Sequence, residues 1–355
     1  MAYNTSPGLD PRPHARQGPT STTGPQRARG PGIPGLPDFL IVNGLDASDF
    51  SARFIDRLEA GGVGVCLVSS SSGWTGLFES LDSPHHRVLL ENAHRVGLAR
   101  TVADIERLRA SGRIAIVLGL QVPDMIEEDA GRLIGLHAMG LRSCGLSYNV
   151  GNYIGSGCVE LEQGPLTRFG VRVVETLQEL GVVVDIAGHC SEATGFDALR
   201  HTKGPVVCSH TTARALRDNP RGTSDAMLDA IADRGGVIGI AAFSFFLVPH
   251  GRGTVDDYVR HVDYVARRVG ADHVGIGLDF ILDRERTGPM SNQAMFPPEA
   301  YPQTYDEWVY PVGLSDFTGL RGVATRLLEL GHSESDVRKI MGGNWLRVWR
   351  EVWGA

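Results

Sequence analysis

Eight short apolar runs, separated by segments of helical periodicity, constrain this chain more than any single motif. They are "FLIVN" (39–43), "GVGVCLV" (62–68), "RIAIVLGL" (113–120), "LRSCGLS" (141–147), "GVVVDIA" (181–187), "GPVVCS" (204–209), "GGVIGIA" (235–241) and "HVGIGL" (273–278). Most hold apolar residues at consecutive rather than alternating positions, the pattern of parallel strands covered on both faces. The intervening "LTRFGVRVVETLQELG" (166–181) and "SDAMLDAIADRGG" (224–236) have helical spacing and end in glycine, a helix stop signal. Eight such units predict an α/β fold of the (β/α)8 TIM-barrel type rather than an open doubly wound sheet. No glycine-rich dinucleotide fingerprint opens a helix after the first run, which weakens the open-sheet alternative. "DFTGLRGVATRLLELG" and "SESDVRKIMGGNWLRVWREVW", after residue 315, predict helices that close and cap the barrel.

The length of 355 residues and 42% hydrophobic content suit one large barrel. Residues 1–37 are rich in Pro, Gly, Ser and Thr and cannot bury enough surface to offset their ordering entropy. The expected organisation is a disordered tail followed by a single domain, 38–355. A net charge of −7 argues against nucleic acid or an anionic membrane surface as partner, and no run is long enough to span a bilayer. The five cysteines are scattered without a CxxC pair, and the N-terminus has no apolar export core. Reduced thiols and a cytoplasmic location are expected.

Chemistry in such a barrel is expected at the C-terminal ends of the strands. Those positions hold Leu45 and Asp46, Gln121, Tyr148, His189, His210 and Asp279. In "VVVDIAGHCSEAT" (182–194), His189 taken alone reads better as a core histidine at a strand end than as a metal ligand. Two histidines closing consecutive strands, with a carboxylate closing the last, form a cluster that folding does not require. His85 and His86 are read as solvated, and His137, His201 and His261 as helical residues with packing roles. Cys190 and Cys208 flank the two histidines but should point to the other side of their strands. The long connection after Asp279 predicts a lid or binding loop. Its Phe296, Tyr301, Tyr305 and Trp308 either line a pocket or pack the loop down.

The motifs "VVVDIAGHCSEAT", "GPVVCSHTTARAL" with "NPRGTSDAML", "HVGIGLDF" and "KIMGGNWLRVW" together resemble the membrane (renal) dipeptidases, zinc peptidases on amidohydrolase-type barrels. The resemblance runs from about Phe39 to the C-terminus. It implies that His189 and His210 are zinc ligands, that Asp279 handles the proton of the attacking water, and that Arg221 binds the carboxylate of a dipeptide. In "LSYNVGNYIGSGCVE" (146–160) a Tyr-Asn pair stands where other members have a carbonyl-polarising histidine. Tyr148 inherits that role, since a phenol can donate to an oxyanion. Asn149 and Gln121 join Arg221 in the expected substrate-binding set.

Departures from the family pattern carry equal weight. Where binuclear members have an aspartate–glycine–histidine–any–aspartate motif, this chain has "NGLDA", with Leu45 and Ala47 at two ligand positions. Gln121 replaces the bridging glutamate, and the spacing before His189 is one residue longer, so Gly188 or His189 falls at the ligand position. Two zincs need anionic ligands that these residues do not supply. The expectation is at most one zinc per chain, with no metal left open. The expected activity is hydrolysis of a dipeptide or dipeptide-like conjugate. A metal-independent enzyme reusing the pocket and a non-catalytic binding protein are the alternatives. A homodimer is an open possibility.

Overall fold

The computed structural model describes residues 39–70, 84–282, 289 and 292–354. Ten strands form one parallel sheet: β1 (Ile41–Asp46), β2 (Val63–Ser70), β3 (Val96–Leu98), β4 (Ile114–Leu120), β5 (Leu141–Gly145), β6 (Val183–Asp185), β7 (Val206–Ala213), β8 (Gly222–Thr223), β9 (Ile238–Ile240) and β10 (Val274–Ile276). Eight of them run in the order β1-β2-β4-β5-β6-β7-β9-β10, with β3 added beside β4 and β8 beside β7. Each of the eight apolar runs overlaps one of these eight strands, with β1, β2 and β7 extending past the ends of their runs.

The barrel closes beyond β10. The amide of Asp279 donates to the Leu45 carbonyl (3.2 Å), and that of Ala47 donates to the Phe280 carbonyl (2.9 Å). Asn43 Oδ1 accepts from the Leu278 amide at 2.9 Å. First and last strands thus meet at the positions that carry Leu45, Asp46 and Asp279.

Consecutive apolar residues serve two cores. In β4, Ala115 and Val117 belong to one cluster with Val65, Leu67, Val183, Val207 and Trp345. Ile114, Ile116 and Leu118 belong to another, packed with helix residues such as Phe54, Ile55 and Leu58. Both faces of the strand are dry, which is why alternation is missing from the sequence. Helices start where small hydroxyl residues cap them: the Ser51, Thr167, Ser191 and Ser224 side chains each accept an amide of their helix's first turn.

The segment "KIMGGNWLRVW" also has a structural role. Trp345, in the helix Asn344–Trp353, donates to the Ile276 carbonyl at 3.0 Å. A side chain at Gly44 or Gly275 would lie within 2.5 Å of its indole. Asn344 donates to the carbonyls of Ala271 and Val274, both at 2.7 Å. The C-terminal helix is therefore seated against the first and last strands of the barrel. No helix among the described residues is long and apolar enough to cross a membrane.

Candidate active site

His210 lies inside β7, three residues before its end, and His189 follows β6 by four residues rather than ending it. The intervening turn absorbs the extra residue of "DIAGH". Ala187 has a φ of 25°, and Gly188 packs so tightly that a Cβ there would sit 2.2 Å from the Arg221 carbonyl and 2.4 Å from its Nη1. Gly188 is thus a spacer with no room for a side chain, and His189 is the residue whose ring reaches His210.

The two imidazoles meet directly, Nε2 to Nε2 at 2.9 Å. Their protonation follows from their neighbours. Asn149 Nδ2 donates to the Met295 carbonyl (3.0 Å), which fixes the amide orientation and turns Oδ1 toward His189 Nδ1 at 2.7 Å. That oxygen accepts from Tyr301 Oη (2.9 Å) as well, so His189 carries its proton on Nδ1. Burial, then the Arg221 guanidinium, then His210 push His189 well below the ordinary imidazole value; burial and Arg221 do the same to His210. With both rings neutral, His210 Nε2–H donates to the bare His189 Nε2. His210 Nδ1 then accepts from the Ser209 hydroxyl at 2.7 Å. The result is one directed chain, Ser209 to His210 to His189 to Asn149. Gln121 Oε1, an acceptor, lies 3.0 Å from the same His189 Nε2.

The other expected residues converge here. Tyr148 stacks on the His189 ring, with centroids 3.9 Å apart and planes 24° apart. Asp279 Oδ2 is 4.0 Å from His210 Nε2, and its backbone takes a φ of 56°, the left-handed region that Asp and Asn adopt more readily than other residues with a Cβ. Arg221 is 2% exposed, its guanidinium stands 5.4 Å over the Phe246 ring, and Nη1 has no hydrogen-bond partner among the described residues. Burial alone would depress it, yet Tyr301, Cys158, Asp279 and Tyr148 around it hold it above its ordinary value.

Asp46 does not join the histidines. It is buried behind the site, accepting from Asn43 Nδ2 (3.0 Å) and the Ser48 amide (2.9 Å), and burial pushes it up to about 8. Leu45 is buried in the apolar cluster with Trp345. His261 is a packing residue: its Nδ1 accepts from the Ala213 amide and its Nε2 donates to the Leu247 carbonyl. His137 and His201 lie in helices. His85 and His86 open the helix Pro84–Glu91, their side chains outside the described residues. All five cysteines are buried and free.

Ser209, Cys158 and Tyr301 are the site residues that sequence reasoning missed or left undecided. Cys158 donates weakly to Asn149 Oδ1 (3.6 Å), and burial pushes its thiol up to about 11. Tyr301 answers the question about the long connection in both ways: its hydroxyl reaches Asn149 while its ring stacks on Trp308 at 5.9 Å. Phe296 stands edge-on to Tyr148. Residues 283–288, including Asp283, Arg284, Glu285 and Arg286, lie outside the described residues.

As arranged, these residues do not fit a zinc ion shared by the two histidines. Two imidazole nitrogens on a tetrahedral zinc lie roughly 3.3 Å apart, given Zn–N bonds of about 2.0–2.1 Å. The pair here is at hydrogen-bond distance, and one of the two nitrogens carries the bonding proton. No group of three or more His, Cys, Asp or Glu among the described residues is placed to hold a metal.

The closed parallel barrel with a polar cluster at its mouth places the chain in the class of amidohydrolase-type barrels. The Membrane dipeptidase family model matches residues 77–290 and 304–354, and the chain belongs to that family. It is 30% identical over 277 residues to an uncharacterised protein from the pqqA 5′ region of Klebsiella pneumoniae, covering 75% of this chain and 93% of that one. It is 28% identical to Dipeptidase verJ of Clonostachys rogersoniana, spanning 63% of that protein's length, just under two thirds. Among solved structures, an amidohydrolase from Pseudomonas aeruginosa superposes with a TM-score of 0.82 at 28% identity, over 90% of this chain and 98% of that one. A metallopeptidase from Rhodobacter sphaeroides, liganded with a phosphinate mimic of L-Ala-D-Ala, shares the fold with a TM-score of 0.71 at 21% identity, over 89% of this chain and 100% of that one.

Proposed function

We propose that this protein hydrolyses the amide bond of a dipeptide or dipeptide-like conjugate that carries a free carboxylate. The observation that supports this most is Arg221. A buried guanidinium with an unpaired Nη1 is costly unless a partner arrives, and a substrate carboxylate would supply two charge-assisted hydrogen bonds. The same pocket holds Asp279 as the group to take a proton from water and return it to the leaving amine. Tyr148, held flat against His189, is the donor to the developing oxyanion. Gln121 and Asn149 complete the polar wall, Asn149 by orienting His189. The proposed location is the cytoplasm.

A panel of dipeptides, N-acyl amino acids and their C-terminal amides, followed by release of free amine, tests the reading. Turnover confined to carboxylate-bearing members is expected. Turnover of amides alone, or of none of the panel, would reject it.

A further inference from the structure

The positions that would hold the family's metal are taken up by a bond between the two histidines themselves. We propose that His189 and His210 form a metal-free, hydrogen-bonded imidazole pair, and that Gln121 is the residue that keeps zinc from settling on it.

Three independent features lead to this. The first is geometric. The Nε2 atoms are 2.9 Å apart, and the chain Ser209–His210–His189–Asn149 uses all four ring nitrogens, so neither ring offers a free lone pair. Binding zinc would require breaking that bond, losing the His210 Nε2 proton and spreading the rings. The second is the donor set. Leu45 and Ala47 are apolar. The neutral Gln121 Oε1 sits 3.0 Å from His189 Nε2, where a carboxylate would bring a charge and a second, bridging oxygen. Asp279 Oδ2 stands 4.0 Å from His210 Nε2, outside bonding distance. The third is charge. The buried Arg221 guanidinium already lies within electrostatic reach of both rings. A dication there would add two positive charges to a dry pocket, with Asp279 as the facing carboxylate.

Gln121 is the point at which these features can be reversed. Gln121→Glu changes shape little but places an anion against His189 Nε2, where it supplies a third ligand and the negative charge that a bound dication needs.

The test uses the full chain, produced in zinc-supplemented medium and purified without chelator. Zinc is measured by elemental analysis, and thermal unfolding is followed with and without EDTA. The wild type is expected to hold under roughly 0.1 equivalent of zinc and to unfold at the same temperature with or without EDTA, since a metal bound only to the folded state would raise its stability. Gln121→Glu is expected to retain about one equivalent and to become EDTA-sensitive. A wild type that retains about one zinc through dialysis and loses thermal stability in EDTA would overturn the proposal. Neither readout depends on turnover, so a failed dipeptide panel leaves this result standing on its own.

Discussion

Asp279 is the residue on which the proposed chemistry and the backbone agree. Its φ of 56° is one that asparagine tolerates and alanine does not. Asp279→Asn should therefore fold normally while lowering kcat by about 10²–10⁴-fold, the usual worth of a general acid–base group. Circular dichroism and a progress curve on the best substrate of the panel check both halves; an unchanged kcat would remove Asp279 from the mechanism. Asp46 is a buried acid of another kind. Held up to about 8 by burial, with Asp279 and the Cys66 thiol as its charged or titratable neighbours, it is neutral in the folded state where the unfolded chain would ionise it. The folded form then binds the extra proton, so the stability it contributes is complete below 3.8 and is lost as pH rises toward about 8. Urea midpoints measured across that window should fall for the wild type and fall less for Asp46→Asn. The residues of the site were legible where a strand end or a family motif marked them: Gln121, Tyr148, Asn149, His189, His210, Arg221 and Asp279 all converge. Ser209 and Cys158 were not, because nothing in a linear pattern says that a serine beside a histidine will bond to its ring.

The eight barrel strands were legible because two-sided burial leaves an unbroken apolar run. β3 and β8 were missed for the same reason in reverse: they are three and two residues long, and only Val96 of "VGL" is buried in β3. The turn from β6 to His189 was only half legible. The extra residue stood out, but its accommodation depends on Arg221, which comes from a distant part of the chain. Gly188→Ala should force that guanidinium or its carbonyl aside, at a cost of about 1–3 kcal/mol as for other overpacked sites; a denaturant midpoint equal to wild type would show that the turn has slack. The segment 292–308 is held on the site by Asn149, through the Tyr301 hydroxyl and the Met295 carbonyl. Tyr301→Phe removes one of those two bonds, a loss of about 1 kcal/mol. Hydrogen exchange in that segment should then quicken while the barrel strands stay protected. Unchanged exchange would mean that the aromatic packing with Phe243 and Trp308 alone holds it down.

Across the whole molecule, the barrel brings Gln121, Tyr148, Asn149, His189, His210, Arg221 and Asp279 together from β4, β5, β6, β7 and β10 or the loops that follow them, and closure between β1 and β10 sets Asp279 beside the others. His189, His210, Arg221, Asn149 and Tyr301 are buried, and Tyr148 is the partly exposed member of the cluster. The proposed function requires that this pocket be built around a ligand carboxylate. Isothermal titration of Asp279→Asn, in which turnover should be slow, with a dipeptide substrate and with its C-terminal amide separates carboxylate recognition from catalysis. The dipeptide is expected to bind about 10–100-fold more tightly than the amide, the worth of charge-assisted hydrogen bonds to a buried arginine, and Arg221→Gln in the same background is expected to abolish the difference. Equal affinities for dipeptide and amide would contradict it.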